Sequence, residues 1–282
     1  MDGRNGQHTT VKMNEQPQPD QVGLVSNETT RPIMICLLGN FRLLNKGELV
    51  PVRAGGKSEV FLAYLALQHG RRVPRERLVQ VLWPDSDLSL GLNSLNNLVY
   101  NLHKLLGPAL QDAPLVLHQD GYYQLNIDAG IDVDVAWFDA LVKTGDRHSQ
   151  AGNSAAAIDA YQRAVELYRD DLCISVDPQT LVERERLRAR YLTTLARLAD
   201  HYYHANDYSA ALEYIWKLLG QDCCREDAHR LVMRCYVRRG ERAAALRHYQ
   251  VCVDLLRDQL NVEPEPATVA LFEQIRLHPD QI

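Results

Sequence analysis

The 282-residue chain lacks the long apolar segments that mark membrane and secreted proteins. Its longest unbroken apolar run, residues 60–67, is far shorter than the roughly 20 residues that a membrane-spanning helix needs. The first 30 residues contain no apolar core of the kind found in a secretory signal. Six cysteines are spread along the chain without the spacing of a disulfide framework, which favours reduced thiols. We therefore expect a cytoplasmic protein with no membrane partner.

The chain also lacks an excess of positive charge, since its net charge is −5 with His neutral. The charge is unevenly distributed: residues 1–30 carry −2, residues 31–128 carry +2 and residues 129–282 carry −5. This balance argues against a strongly basic nucleic-acid coat. It also indicates that the two halves of the chain meet different partners.

Signatures of catalysis are missing too. Residues 55–58 (GGKS) end like a phosphate-binding loop, but Pro51 stands where that motif needs its first glycine. No Ser–His–Asp or Cys–His arrangement stands out. We predict that the protein is not an enzyme, with no catalytic residues and no cofactor.

Thiol and imidazole groups are concentrated in the second half of the chain, at His201, His204, Cys223, Cys224, His229, Cys235 and Cys252. A metal site needs three or four convergent ligands in a fixed geometry. Cys252 aligns with a small packing position of a repeat described below and Cys235 adjoins the core position Tyr236, so we interpret the group as packing residues. We predict no metal site.

The chain begins with a polar segment, residues 1–30, which is rich in Gln, Asn, Thr and Pro. Such a segment cannot bury enough apolar area to offset the entropy cost of ordering, so we predict a disordered tail. The pattern after it predicts strands near residues 33–38, 41–44 and 49–52, a helix from residue 60 to near residues 69–70, helices over 74–82 and 88–106, and a β-hairpin over 115–125 with an Asp-Gly turn. This order is typical of a winged helix-turn-helix domain, which we place at residues 31–127.

The helix over 88–106 occupies the recognition position, with its leucines turned inward. Its outward face presents Asn93, Ser94, Asn96, Asn97, Tyr100, Asn101, His103 and Lys104. Asparagine is a poor helix former, and it can pair with adenine in the major groove. We predict that DNA is bound by Asn93, Asn97, Tyr100, Asn101, His103 and Lys104. An ordinary solvated helix face is the alternative, because the face has one Lys and no Arg.

The second half of the chain contains an internal repeat. Residues 206–212 (NDYSAAL) align with 240–246 (GERAAAL) at an offset of 34, which is the period of the tetratricopeptide repeat. A third copy at 152–158 is displaced by 54 residues, so about 20 extra residues are expected in 170–180 and the helix that follows. We predict a chain that is helical throughout after residue 130, forming an all-α repeat domain at 130–278.

Several stretches of the chain resemble the Streptomyces antibiotic regulatory protein type of transcription regulator. Residues 38–43 (LGNFRL), 73–78 (VPRERL), 82–85 (LWPD), 102–107 (LHKLLG) and 121–122 (GY) are similar to the OmpR/PhoB-type winged helix. Residues 226–234 (EDAHRLVMR) and 255–266 (LLRDQLNVEPEP) are similar to the bacterial transcriptional activator domain. The resemblance implies binding to double-stranded DNA at direct repeats near a promoter, self-association in tandem, and activation through RNA polymerase.

One departure from the family concerns the recognition helix, where relatives usually carry Arg at the positions of Asn101 and His103. Two other functions therefore stay open. The same fold serves as a signalling adaptor that binds proteins through the repeat groove, or as a sensor that binds a small molecule there.

Overall fold

The structure is a computed structural model that describes residues 31–174 and 176–282. The disordered tail predicted for residues 1–30 lies outside the described residues. From Arg31 to Ile282 the chain forms one unit, with an α+β half (residues 31–133, here the winged-helix half) and an all-α half (residues 134–282, here the helical half). This arrangement confirms the predicted fold class.

Seven short strands build two sheets in the winged-helix half. They are β1 (Ile33–Cys36), β2 (Arg42–Asn45), β3 (Glu48–Val50), β4 (Val73–Pro74), β5 (Val116–Gln119), β6 (Tyr122–Leu125) and β7 (Ile131–Val133). The strand order is β3-β2-β1-β7 in the first sheet and β4-β6-β5 in the second. Strands β1 and β2 are antiparallel, with Ile35 opposite Leu43, and both side chains enter the core.

Strand β7 corrects the prediction that the chain is helical throughout after residue 130. It pairs with β1 in parallel, with Ile33 opposite Ile131 and Ile35 opposite Val133. Ile131 and Val133 are buried and Asp132 between them is not, which is the alternation of a strand with one buried face. The first sheet is therefore completed by residues that follow the wing.

Three helices belong to the winged-helix half: α1 (Lys57–Leu67), α2 (Arg75–Leu82) and α3 (Leu88–Leu106). Helix α1 is buried along its whole second part, from Phe61 to Leu67, and forms the centre of the core. Helix α3 has the predicted bounds. The wing is the hairpin of β5 and β6, as the Asp-Gly turn predicts.

The helical half contains α4 (Asp134–Gln150), α5 (Ser154–Leu167), α6 (Pro178–His204), α7 (Tyr208–Gln221), α8 (Glu226–Arg238), α9 (Arg242–Leu260) and α10 (Pro266–Leu277). Consecutive helices pack as the pairs α4–α5, α6–α7 and α8–α9. Ala211 and Ala245, 34 residues apart, are both fully buried, as expected where paired helices approach closely. The extra residues of the first repeat lie in the 27-residue helix α6 and the segment before it.

The two halves are joined by backbone contacts as well as by the chain itself. The N–H of Cys173 donates a hydrogen bond to the carbonyl of Leu37 at 2.9 Å. Asp134, at the start of α4, is buried and accepts hydrogen bonds from the backbone N–H groups of Leu37 at 2.8 Å and Leu38 at 3.0 Å. Because these N–H groups follow strand β1, the Asp134 carboxylate ties the first sheet to the first helix of the repeat.

Candidate nucleic-acid interface

Helix α3 is anchored at its start and along one face. The carboxylate of Asp87 accepts a hydrogen bond from the backbone N–H of Ser89 at 2.8 Å and so caps the helix. Gly91 lies where α3 crosses α2, and a Cβ atom there would lie 2.3 Å from Cγ1 of Val79. Only glycine permits this approach, which sets the position of α3 against the rest of the fold. Leu95 is fully buried beneath the helix.

The opposite face of α3 points into solvent. Asn93, Asn97 and Asn101 are exposed, and because they are spaced by four residues they lie in one line along the helix. We call these three residues the Asn row. Tyr100, with 68% of its surface exposed, and Lys104 lie beside it. The structure therefore brings five of the six predicted DNA-binding residues together on one exposed face.

The sixth predicted residue, His103, lies on the side of α3 that faces the wing. Its Nε2 atom accepts a hydrogen bond from the backbone N–H of Val116 at 3.2 Å. Burial lowers the pKa of His103 below its ordinary value of about 6.5, so the ring is neutral at pH 7 and carries no positive charge there. Asn96 also faces the wing, where its Oδ1 atom accepts a hydrogen bond from the hydroxyl of Tyr123 at 3.1 Å. These two side chains fix the wing against α3.

The tip of the wing is a tight turn at Asp120 and Gly121, which have φ values of 53° and 80°. Two consecutive positive φ values are the mark of a type I′ turn, for which Asp-Gly is a preferred sequence. Tyr122 beside the turn is 42% exposed. The backbone N–H of Arg75, the first residue of α2, donates a hydrogen bond to the carbonyl of Gly121 at 3.0 Å. The wing tip and the start of α2 therefore lie together.

Two arginines near α3 have different surroundings. Arg75 has a side chain that is 46% exposed and pairs with Glu76 on its own helix. The guanidinium of Arg77 instead donates to Asp177 at 2.6 Å and to the hydroxyl of Tyr64 at 3.3 Å. Asp177 belongs to the helical half, where it caps α6. Arg77 is thus a contact between the two halves, a role that the sequence did not reveal.

The thiol groups divide into two kinds. Cys235 and Cys252 are fully buried, as expected of packing residues. Cys223 and His204 are exposed, so the interpretation of these two residues as packing residues is wrong. Within residues 31–174 and 176–282, no three or more His, Cys, Asp or Glu side chains are grouped so that they could hold a metal ion. Every helix in these ranges is too short or too polar to span a bilayer.

The family model of the bacterial transcriptional activator domain matches residues 133–276 of the chain. The regulatory protein AfsR of Streptomyces coelicolor is 27% identical over 240 residues, which cover 85% of this chain and 24% of AfsR. The chain thus spans about a quarter of that relative. The transcriptional regulatory protein MoaR1 of Mycobacterium tuberculosis is 23% identical over 256 residues, covering 90% of this chain and 82% of MoaR1.

Among solved structures, the chain is similar to EmbR of Mycobacterium tuberculosis in complex with a low-affinity phosphopeptide. The TM-score is 0.71 and the identity is 23%, with 87% of this chain and 65% of the EmbR chain covered. At this identity the likeness concerns the fold, and it extends over both halves of the chain. The order of a small α+β domain before a helical domain is therefore shared with a solved structure.

Proposed function

Since this chain belongs to the bacterial transcriptional activator domain family, we propose that it is a transcription regulator of the Streptomyces antibiotic regulatory protein type and that it binds duplex DNA through α3 and the wing. In this proposal α3 enters the major groove and the wing lies over the neighbouring backbone. The residues that contact DNA are Asn93, Asn97, Tyr100, Asn101 and Lys104, with His103 at the edge towards the wing.

The Asn row carries the proposal. Its first and last residues are eight positions apart, which corresponds to about 12 Å along a helix and so to about three or four base-pair steps. Each carboxamide can pair with the N6 and N7 atoms of an adenine, an arrangement that reads sequence directly. A row of amides that adds little to helix stability and lies exposed on the recognition helix is suited to this task.

Phosphate binding is expected to be modest. Lys104 is the one cation on the exposed face of α3, and Arg75 lies beside the wing tip. Tyr100 can donate its hydroxyl to a phosphate oxygen. With about two cationic contacts, the logarithm of the binding constant should fall only about two units for each unit in the logarithm of salt concentration.

For the helical half we propose the role of the activator domain, in contact with RNA polymerase while the winged helix holds the promoter. The DNA-binding domain then spans residues 31–127 and the activator domain 130–278, with β7 as the strand that joins them. Tandem binding at direct repeats, through self-association, is part of the proposal. No catalytic step is included.

A second function is favoured by one observation, the absence of Arg from the outward face of α3. A domain with so few phosphate contacts serves equally well as a protein-binding module, which makes the chain a signalling adaptor. Adaptor and DNA-binding protein differ in whether any duplex is retained at low salt.

The test is selection of bound sequences from a random duplex pool with the purified chain. We expect an enriched short motif that contains adenine. Asn97→Ala and Asn101→Ala should each lose about 1–3 kcal/mol of discrimination between the selected duplex and an unrelated one. Gln250→Ala is the matched control, because it removes an exposed amide from a helix of the other half.

Two results contradict the proposal. One is the absence of enrichment together with no retention of duplex at low salt, which favours the adaptor. The other is an enriched motif that both Asn variants bind as well as the unmodified chain, which assigns DNA binding to another surface.

A further inference from the structure

The turn between α7 and α8 carries two adjacent cysteines that take no part in the function proposed above. Cys223 is exposed and Cys224 is half-buried, and their Sγ atoms lie 4.0 Å apart. The Sγ atom of Cys224 also lies 3.9 Å from the carbonyl oxygen of Leu255 on α9. Two thiols thus point to the same side of one turn, at the surface of the helical half.

Hydrogen bonds hold the backbone of this turn on both sides. The N–H of Cys224 donates to Oδ1 of Asp222 at 3.3 Å. The ring of His229 donates from Nε2 to the carbonyl of Cys223 at 2.8 Å. Because Nε2 carries the proton, Nδ1 of His229 is an acceptor, and it receives a hydrogen bond from His248 at 2.9 Å. The two imidazoles are buried, so the turn is fixed from inside the repeat.

The separation of the two sulfurs suits a shared metal ion. With metal–sulfur bonds of about 2.3 Å, two sulfurs on one ion lie about 3.8 Å apart at the tetrahedral angle and about 4.6 Å apart on opposite sides. The observed 4.0 Å lies between these values. An ion held between two sulfurs on opposite sides therefore needs their separation to increase by about 0.6 Å, a small movement for the exposed Cys223 side chain.

A disulfide between the same residues fits less well. Disulfides join Cα atoms that are about 4.4–6.8 Å apart, whereas the Cα atoms of adjacent residues are about 3.8 Å apart across a trans peptide bond. The two sulfurs would also have to approach from 4.0 Å to about 2.0 Å. Such a bond is strained and easily reduced, so the dithiol is the stable form under reducing conditions.

We propose that Cys223 and Cys224 form a binding site for one soft, thiophilic metal ion of the Cu(I) class. Thiolates select such ions, and a structural zinc site would need four ligands. Within the described ranges no third His, Cys, Asp or Glu side chain completes a site. A univalent ion that accepts two sulfurs is the class that matches this pair.

Binding is a ligand exchange without a change of oxidation state. Two Cys–SH groups and one Cu(I) ion give one Cu(I) dithiolate and two protons, which pass to solvent. Burial raises the pKa of Cys224 above its ordinary value, and binding of the metal displaces the proton from each thiol.

The experiment is an anaerobic titration of the full chain, kept reduced with a phosphine, with Cu(I) in competition with a coloured Cu(I) chelator. We expect one equivalent of copper per chain. Cys223→Ser and Cys224→Ser should each weaken binding by about 100-fold or more, because chelation is lost. Cys173→Ser, which removes a half-buried thiol elsewhere, is the matched control and should bind copper as the unmodified chain does.

The variant of exposed Cys223 keeps the test decisive even if Cys224→Ser fails to fold, since an exposed side chain contributes little to stability. The proposal is overturned by no competition with the chelator, by unchanged affinity in Cys223→Ser, or by one copper shared between two chains. Loss of copper binding in Cys173→Ser would also overturn it, because the site would then lie elsewhere.

Discussion

The two halves of the chain use their polar side chains in different ways. In the helical half, arginines pair with carboxylates across helices, as Arg186 does with Asp139 at 2.7 Å and Arg230 with Glu265 at 2.9 Å. On α3 of the winged-helix half, the Asn row and Tyr100 lie in solvent. The more highly charged half thus holds many of its charges in internal contacts, while the half with few charges keeps the outward face of α3 open to solvent.

This difference shows why net charge is a poor guide to the binding surface of this protein. A stack of helix pairs needs contacts between successive helices, and ion pairs supply orientation there although each adds little stability. A recognition helix needs only one anchored face, and its other face is selected for contacts with a partner. The predictions below test how far the two halves are separate, from the largest expected effect to the smallest.

The first prediction concerns Asp134, where the two halves meet. Asp134→Ala leaves the buried N–H groups of Leu37 and Leu38 without their acceptor, and we expect a loss of about 3–5 kcal/mol in the free energy of unfolding. Asp132→Ala, which removes the partly exposed neighbour that pairs with Arg31, should lose less than about 1 kcal/mol.

Thermal melting of both variants checks this. If the halves form one cooperative unit, Asp134→Ala melts in a single transition at lower temperature. Two separated transitions, or a melting temperature equal to that of Asp132→Ala, would contradict the account of the junction.

The second prediction is a pH effect that arises from a buried group in the helical half. Burial and the neighbouring His229 lower the pKa of His248 to about 4, against about 6.5 in an unfolded chain. Below pH 6.5 the unfolded chain binds a proton that the folded chain does not, so the free energy of unfolding decreases as the pH falls from about 6.5 to 4. The decrease from this group is up to about 3 kcal/mol.

His248→Gln should flatten this dependence, measured by denaturant unfolding at a series of pH values. His204→Gln is the control, because His204 is exposed on α6. An equally steep dependence in His248→Gln would show that the acid sensitivity comes from other groups.

The third prediction tests the repeat register. Ala211 and Ala245 are fully buried at equivalent places in α7 and α9. Replacement of either by Leu overpacks the contact between paired helices and should cost about 1–3 kcal/mol of stability. Ala243→Leu, at an exposed position of α9, should melt close to the unmodified chain. Equal melting temperatures for Ala243→Leu and Ala245→Leu would mean that the register is wrong.

The fourth prediction separates two roles of Asp177, which caps α6 and pairs with Arg77. Asp177→Ala loses both contacts and should cost about 1–2 kcal/mol. Arg77→Met keeps the cap and should cost less than about 1 kcal/mol, because the arginine side chain is 39% exposed. The reverse order of the two effects in denaturant unfolding would make the ion pair the stronger contact.

The bounds of α3 and the position of the wing could be predicted from the sequence, because both depend on residues that are close together in the chain. The bounds of α3 follow from its leucine spacing and the Gly-Pro that ends it, and the wing follows from its Asp-Gly turn. Strand β7 was missed, because its partner β1 lies almost 100 residues earlier and three residues give little pattern.

Side-chain contacts between distant segments were also beyond sequence reasoning. Two examples are the hydrogen bond between His103 and Val116 and the ion pair between Arg77 and Asp177. Both depend on how helices and strands pack against one another, which the identity of the single residues does not indicate. The hydrogen bond between the buried rings of His229 and His248 likewise depends on the packing of α8 against α9. The predicted DNA contacts themselves stay a prediction.

The most direct test of the central claim is the salt dependence of duplex binding by two arginine variants. Asn101→Arg adds a cation to α3, and Gln250→Arg adds the same charge to an exposed position of the helical half. We predict that Asn101→Arg tightens duplex binding at low salt and steepens the log–log salt slope by about 0.9, while Gln250→Arg leaves the slope unchanged. Equal slopes for both variants, or no duplex binding by Asn101→Arg at low salt, would contradict the claim that α3 binds DNA.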